Sequence, residues 1–192
     1  MGRTGRGAAF LVAFLAGTLP VLAADLQEKL APCLACHGAE GQSETENVPS
    51  LGAQPPPYTV IQLFMFREKL RVAEPMSEMA KDLSDNDLQS IADFCEKQPA
   101  PKPHADPEDP ARVERDRMLV EQNHCNVCHR PDFSGQNNVP RLADQRQDYL
   151  LKTLRDYKSG ARRGYDASMA EVLQPVDDAQ LIEFAYYLAR LR

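Results

Sequence analysis

Apolar positions recur with helical spacing through most of the chain. Tyr149, Leu150, Thr153, Leu154 and Tyr157 fall on one helical face, and Gly160 ends that helix. Tyr58, Ile61, Gln62, Met65 and Phe66 make a matching face earlier in the chain. Leu88, Ile91, Ala92 and Cys95 repeat at i, i+3, i+4 and i+7, the spacing of a buried stripe. Ser84 with Asp87, and Asp177 with Gln180, carry capping-box chemistry at helix starts. Asp109-Pro110 reads as an N-cap followed by proline at the first helical position, and predicts a helix running to about Asn123. The pattern predicts an all-α protein.

One apolar block differs. Ala8 to Leu22 is almost wholly apolar, Arg3 and Arg6 precede it, and Val21-Leu22-Ala23 supplies small-residue cleavage chemistry. The block falls short of the roughly 20 residues a spanning helix needs, and Pro20 interrupts it. We read residues 1–24 as a signal peptide, cut after Ala23 or Ala24. The mature chain is expected in the periplasm.

The mature chain repeats itself. Cys33 matches Cys125 and His37 matches His129 at an offset of 92. Pro49-Ser50-Leu51 matches Pro140-Arg141-Leu142, and Tyr58 matches Tyr149, at offset 91. Leu83, Leu88 and Phe94 match Val176, Leu181 and Tyr187 at offset 93. The expected organisation is one domain over 25–98, a linker over 99–110 and a second domain over 111–192. Five prolines from Pro99 through Pro110 make the linker extended and semi-rigid, with His104 exposed on it.

The repeat centres on chemistry. Cys33-Leu34-Ala35-Cys36-His37 and Cys125-Asn126-Val127-Cys128-His129 are both C-x-x-C-H. A bare C-x-x-C is ambiguous among zinc, a redox disulfide and haem. A histidine directly after the second cysteine, twice, selects covalent haem c. Cys33, Cys36, Cys125 and Cys128 are then the thioether donors, and His37 and His129 the iron ligands. Each domain is small enough for a covalent haem to serve as its staple.

The fifth cysteine, Cys95, is either a reactive thiol or a small buried apolar residue. Its counterpart at offset 93 is Leu188, which favours packing.

The sixth iron ligand decides between electron transfer and chemistry at an open iron. Met76 matches Met169 at offset 93, whereas Met79 matches Val172 and Met65 matches no methionine. Met76 and Met169 are therefore the expected axial ligands, and Met79, Met65 and Met118 are read as core. A thioether favours ferrous iron and raises the potential. His124 has no histidine twin, since Pro32 takes its place, and reads as surface or local packing. Carbonyls near Pro49 and Pro140 have the spacing to accept from the histidines' other ring nitrogen, though spacing alone leaves this open. Tyr58 and Tyr149 suit either a place beside the haem or ordinary core.

Charge is uneven: residues 25–98 carry 6 Lys/Arg against 13 Asp/Glu, net −7, and residues 112–192 carry 13 against 12, net +1. An acidic face steers a basic redox partner or merely keeps the protein soluble. Nucleic acid is not an expected partner.

Together these residues resemble the two-haem bacterial cytochrome c4 family, tandem class I cytochrome c domains. The resemblance is carried by both C-x-x-C-H motifs and the Pro-x-Leu after each. The stretch from Glu74-Pro75-Met76 to Asp87-Leu88, and Asp148-Tyr149 through Ser159-Gly160, carry it further. It implies His/Met coordination at both irons, with Pro49 and Pro140 orienting the histidines and the haems near the domain interface. It also implies electron carriage, without catalysis, from a respiratory donor to a terminal haem-copper oxidase or other acceptor, with loose membrane association. Departures are the Gly52-Ala-Gln-Pro-Pro-Pro57 approach to the first middle helix, Arg130-Pro131 in place of the usual glycine, and the acid- and proline-rich linker. Two alternatives stand: the cytochrome subunit of a periplasmic dehydrogenase, such as a flavocytochrome sulfide dehydrogenase, and a dihaem peroxidase. The last needs a displaceable iron ligand, which paired methionines argue against.

Overall fold

The computed structural model describes residue 1 and residues 19–103, 109–165 and 167–191. Positions 2–18 of the expected signal peptide, and His104 in the expected linker, lie outside the described residues. Every regular element described is a helix. The first half holds α1 (Leu19–His37), α2 (Pro56–Arg67), α3 (Met76–Ala80) and α4 (Asp85–Lys97). The second holds α5 (Pro110–Gln122), α6 (Cys125–His129), α7 (Gln147–Ser159), α8 (Ser168–Val172) and α9 (Asp178–Leu188). Among the described residues, no helix is long and apolar enough to cross a membrane.

Local chemistry sets the helix ends. Both capping boxes form: Ser84 with Asp87 opens α4, and Asp177 with Gln180 opens α9. The Asp109 carboxylate accepts from the Ala111 and Arg112 amides, and Pro110 occupies the first helical position of α5. Pro55 and Pro56 likewise start α2, so the proline-rich approach is a helix start. Gly160 ends α7 at φ +76°, a conformation glycine adopts without strain.

The halves share one packing scheme. α2 packs on α4 as α7 packs on α9, and α1 meets α4 as α5 meets α9. Leu30, Leu63, Leu88, Ile91 and Cys95 make the first core. Val120, Leu150, Leu154, Leu181, Phe184 and Leu188 anchor the second. Cys95 is fully buried, and burial pushes its thiol up to about 12, as its packing role requires.

The two motifs are carried differently. α1 runs unbroken through the first motif with Pro32 inside it. The second motif sits on its own turn, α6, because the exposed His124 turns left-handed at φ +58°. Of the three methionines read as core, only Met65 is buried; Met79 is 39% exposed and Met118 49%. α3 is a single turn whose inward positions go to Met76, Ser77 and Ala80. On α5 the buried positions are Asp116 and Val120, which leaves Met118 facing outward between them.

Candidate haem-binding sites

In each half, one helix delivers the motif. Cys33 and His37 are four apart on α1, as Cys125 and His129 are across α6, so both lie on one face. Cys36 and Cys128 are exposed, while Cys33 and Cys125 are half-buried. Burial pushes the Cys33 thiol up and that of Cys125 to about 11.

Both histidines are buried. His37 Nδ1 lies 2.8 Å from the Pro49 carbonyl oxygen, and His129 Nδ1 lies 2.9 Å from that of Pro140. A carbonyl can only accept, so Nδ1 carries the proton in both rings and Nε2 presents a lone pair. Burial lowers the pKa of both rings, opposed by these hydrogen bonds, so the neutral form is held. A neutral imidazole oriented through Nδ1 is what an iron ligand requires.

The paired methionines occupy matching one-turn helices, Met76 on α3 and Met169 on α8. Met76 packs on the core that Leu34 of the first motif also touches, and Met169 on the core that touches Cys125. Ser77, with its amide on the Ala73 carbonyl and its hydroxyl accepting from the Ala73 amide, ties the Met76 turn. A cation at the end of each middle helix fixes the stretch beyond. Arg67 donates to the Leu83 carbonyl (2.9 Å), and Lys158 to those of Leu173 (3.1 Å) and Gln174 (2.8 Å).

Sequence reading singled out Tyr58 and Tyr149 but not the two arginines, Arg71 and Arg162, that join them. Across the contact between halves, Arg162 donates to Tyr58 Oη (3.2 Å) and Gln62 Oε1 (3.1 Å) of the first half. It also donates to Tyr149 Oη (3.3 Å) and Thr153 Oγ1 (3.4 Å) of its own. Arg71 stands at offset 91 from it, bonding Gln62 (2.6 Å) and Tyr149. Each guanidinium stacks on an aromatic ring at the same offset, Arg71 on Phe66 and Arg162 on Tyr157. Burial raises the Tyr149 hydroxyl, but these two cations outweigh it and pull it down to about 7. In Tyr58 burial prevails and the pKa rises. Extending the offset beyond Tyr58 and Tyr149 finds this set in the sequence.

The residues fit haem. Two oriented, neutral histidines each follow a cysteine pair, and a small apolar core borders each motif. Arg162 is only 6% exposed, and among the described residues its Nε has no partner and its other nitrogens bond hydroxyl and amide oxygens. A buried guanidinium with no carboxylate partner among the described residues suits an acidic cofactor edge.

No family model matches the chain. It is 33% identical over 171 residues to a cytochrome c4 of Thiocapsa roseopersicina, covering 83% of this chain and 86% of that protein. It is 32% identical over 169 residues to a thiosulfate dehydrogenase electron acceptor of Thiomonas intermedia, covering 83% of this chain and 78% of that one. The fold superposes on the crystal structure of reduced cytochrome c4 from Pseudomonas stutzeri with a TM-score of 0.79 and 28% identity, covering 88% and 98% of the two chains. Similarity over nearly the whole of both chains, joined to the duplicated motif and its paired histidines, places this chain in the cytochrome c4 family of dihaem electron-transfer cytochromes.

Proposed function

We propose that the chain is a periplasmic carrier whose first iron is held by His37 and Met76 and whose second is held by His129 and Met169. Cys33 and Cys36 anchor one haem, and Cys125 and Cys128 the other. Residues 25–98 and 111–192 form the two haem domains, joined by the linker 99–110, once the segment 1–24 has been removed.

One observation carries the reading. Twice, a buried histidine behind a cysteine pair has its Nδ1 proton committed to a proline carbonyl, and a methionine turn borders the same core. When bound, the haems supply iron that cycles between ferrous and ferric. The chain's part is to hold both axial ligands in place in either state, so that little reorganises when an electron arrives. The thioether sets a high potential, and the Nδ1 hydrogen bond fixes ring orientation and basicity.

The partners are redox proteins. The likeness to a thiosulfate dehydrogenase electron acceptor favours a dehydrogenase of a small reduced sulfur anion as donor, with an oxidase or another cytochrome as acceptor.

Pyridine haemochrome analysis should give two haems per chain, and the oxidised spectrum should be low-spin with the weak far-red methionine–iron band. Met76→Ala should keep the haem attached, lower one of the two potentials and open that iron to carbon monoxide. Fewer than two haems sinks the reading, and an unchanged potential moves the ligand to Met79. Peroxide turnover with a high-spin signal would establish the peroxidase instead.

A further inference from the structure

We infer that Gln54 and Gln145 are cross-domain positioning residues, each holding the peptide that orients the iron-ligating histidine of the opposite half. The inference rests on the reading of His37 and His129 as iron ligands.

The peptide between Pro49 and Ser50 has two polar ends. Its carbonyl accepts from His37 Nδ1 at 2.8 Å, and its N–H donates to Gln145 Oε1 at 2.8 Å. The peptide between Pro140 and Arg141 repeats this. Its carbonyl accepts from His129 at 2.9 Å, and its N–H donates to Gln54 Oε1 at 3.1 Å. Gln54 and Gln145 are themselves related by the offset of 91, so the arrangement is reciprocal. Each histidine is bound to a peptide of its own half, and each peptide is held by the other half.

The glutamines are built for the task. Each amide NH2 returns to the carbonyl of the residue it serves, Gln145 to Ser50 at 2.8 Å and Gln54 to Arg141 at 3.0 Å. Backbone donor and acceptor together fix which end of each amide is oxygen. Gln54 and Gln145 are 4% and 3% exposed, so water is not at hand as a substitute. Gln145 Oε1 also accepts from the Arg146 amide at 3.0 Å. Left-handed residues aim both side chains: Ala53 at φ +54° and Asp144 at φ +60° immediately precede them. Their amides are tied to the ends of the last helices, at Cys95 (3.0 Å) and Leu188 (2.8 Å). Non-glycine residues keep such backbone only where the surroundings impose it.

Amide resonance gives the link its sign. An acceptor on the N–H draws negative charge onto the carbonyl oxygen, so hydrogen bonds through one peptide reinforce each other. A stronger carbonyl acceptor makes the imidazole more electron-donating, which favours ferric iron. Each glutamine therefore holds down the potential of the haem in the other half.

The test uses the holoprotein. Haem content and the low-spin methionine band are checked first; if these fail in wild type, the ligand reading fails and not this inference. The two potentials are then assigned by NMR through the ligand methionine methyls. Gln145→Met should raise the first-half potential and leave the second, and Gln54→Met should do the reverse. Gln145→Glu keeps an acceptor for the Ser50 amide and should lower the first-half potential more than the second. That variant carries the test alone if methionine prevents folding. Shifts confined to the substituted half, equal shifts at both haems, or no shift would overturn the inference.

Discussion

Arg130 shows what a single position can conceal. It follows the second haem histidine and matches Gly38, which sits at φ +83°. A Cβ on Gly38 would lie 2.0 Å from the Gln42 carbonyl oxygen, so only glycine fits there. Arg130 adopts φ +72° and ψ +158°, a region left almost wholly to glycine. Such strain costs on the order of 1–3 kcal/mol. Its side chain gains little in return, since the nearest carboxylate, Asp132, is 3.9 Å away and both groups are more than half exposed. Glycine would itself cost about 0.5–1 kcal/mol through the freedom it gives the unfolded chain. Arg130→Gly should therefore stabilise the protein by about 1 kcal/mol in urea unfolding, and a loss of stability would show that the arginine is held by something other than strain. The sequence exposed this position as a departure from glycine, but not its cost, because backbone angles are not written in residue type. Gln54 and Gln145 were hidden for another reason. Glutamine has no single chemistry, and only the partner across the interface gives these two a meaning.

Helices were far more legible than contacts between them. Spacing and capping residues alone place α2, α4, α5, α7 and α9, because 3.6-residue periodicity and N-cap chemistry are local. The end of α5 at about Asn123 was legible too, but the left-handed backbone of His124 was not, because nothing in Asn123-His124 announces a positive φ. Capping also allows a prediction at this scale. Asp87 accepts from the Ser84 amide (2.8 Å) and hydroxyl (2.7 Å), and from Lys29 on α1 (2.7 Å). It thus starts α4 and ties it to the motif helix. The Lys29 bond, then those of Ser84, lower its pKa from 3.8 to about 2. A carboxylate depressed in the folded state gives stability that is complete above its ordinary pKa and fades as pH falls through the folded value. Asp87→Ala should cost about 1 kcal/mol at neutral pH, and the gap from wild type should close as pH falls from 3.8 towards about 2. Urea unfolding of both proteins across that range measures it, and a gap that stays constant would mean that the carboxylate's charge plays no part.

At the scale of the molecule, the question is whether two small cores behave as one. Closing a linker of about a dozen residues costs on the order of 2 kcal/mol. The four glutamine bonds between Gln54 and Arg141 and between Gln145 and Ser50, at about 1 kcal/mol each, already exceed that. Asn47 to Asp148 (2.9 Å) and Arg146 to Ser43 (3.1 Å) add to one edge of the contact. Arg162 holds the other edge, between α2 and α7. A buried cation bonded to hydroxyl and amide oxygens is expensive by itself, so its removal has two opposed effects. Desolvation is relieved, and Gln62 and Tyr149 keep Arg71, but Tyr58 loses the donor that ties it to the second half, at about 1–3 kcal/mol for a buried group left unsatisfied. Tyrosine hydroxyls can turn towards each other and recover part of this, which leaves a net loss of about 2 kcal/mol borne almost wholly by the contact between halves. Arg162→Leu should therefore leave each core intact and uncouple them. Calorimetry should find one cooperative transition in the wild-type holoprotein and two in the variant, the first at the lower temperature. A single unshifted transition in Arg162→Leu would mean that the glutamine clamps alone bind the halves together, and that the arginine serves the cofactor edge rather than the fold.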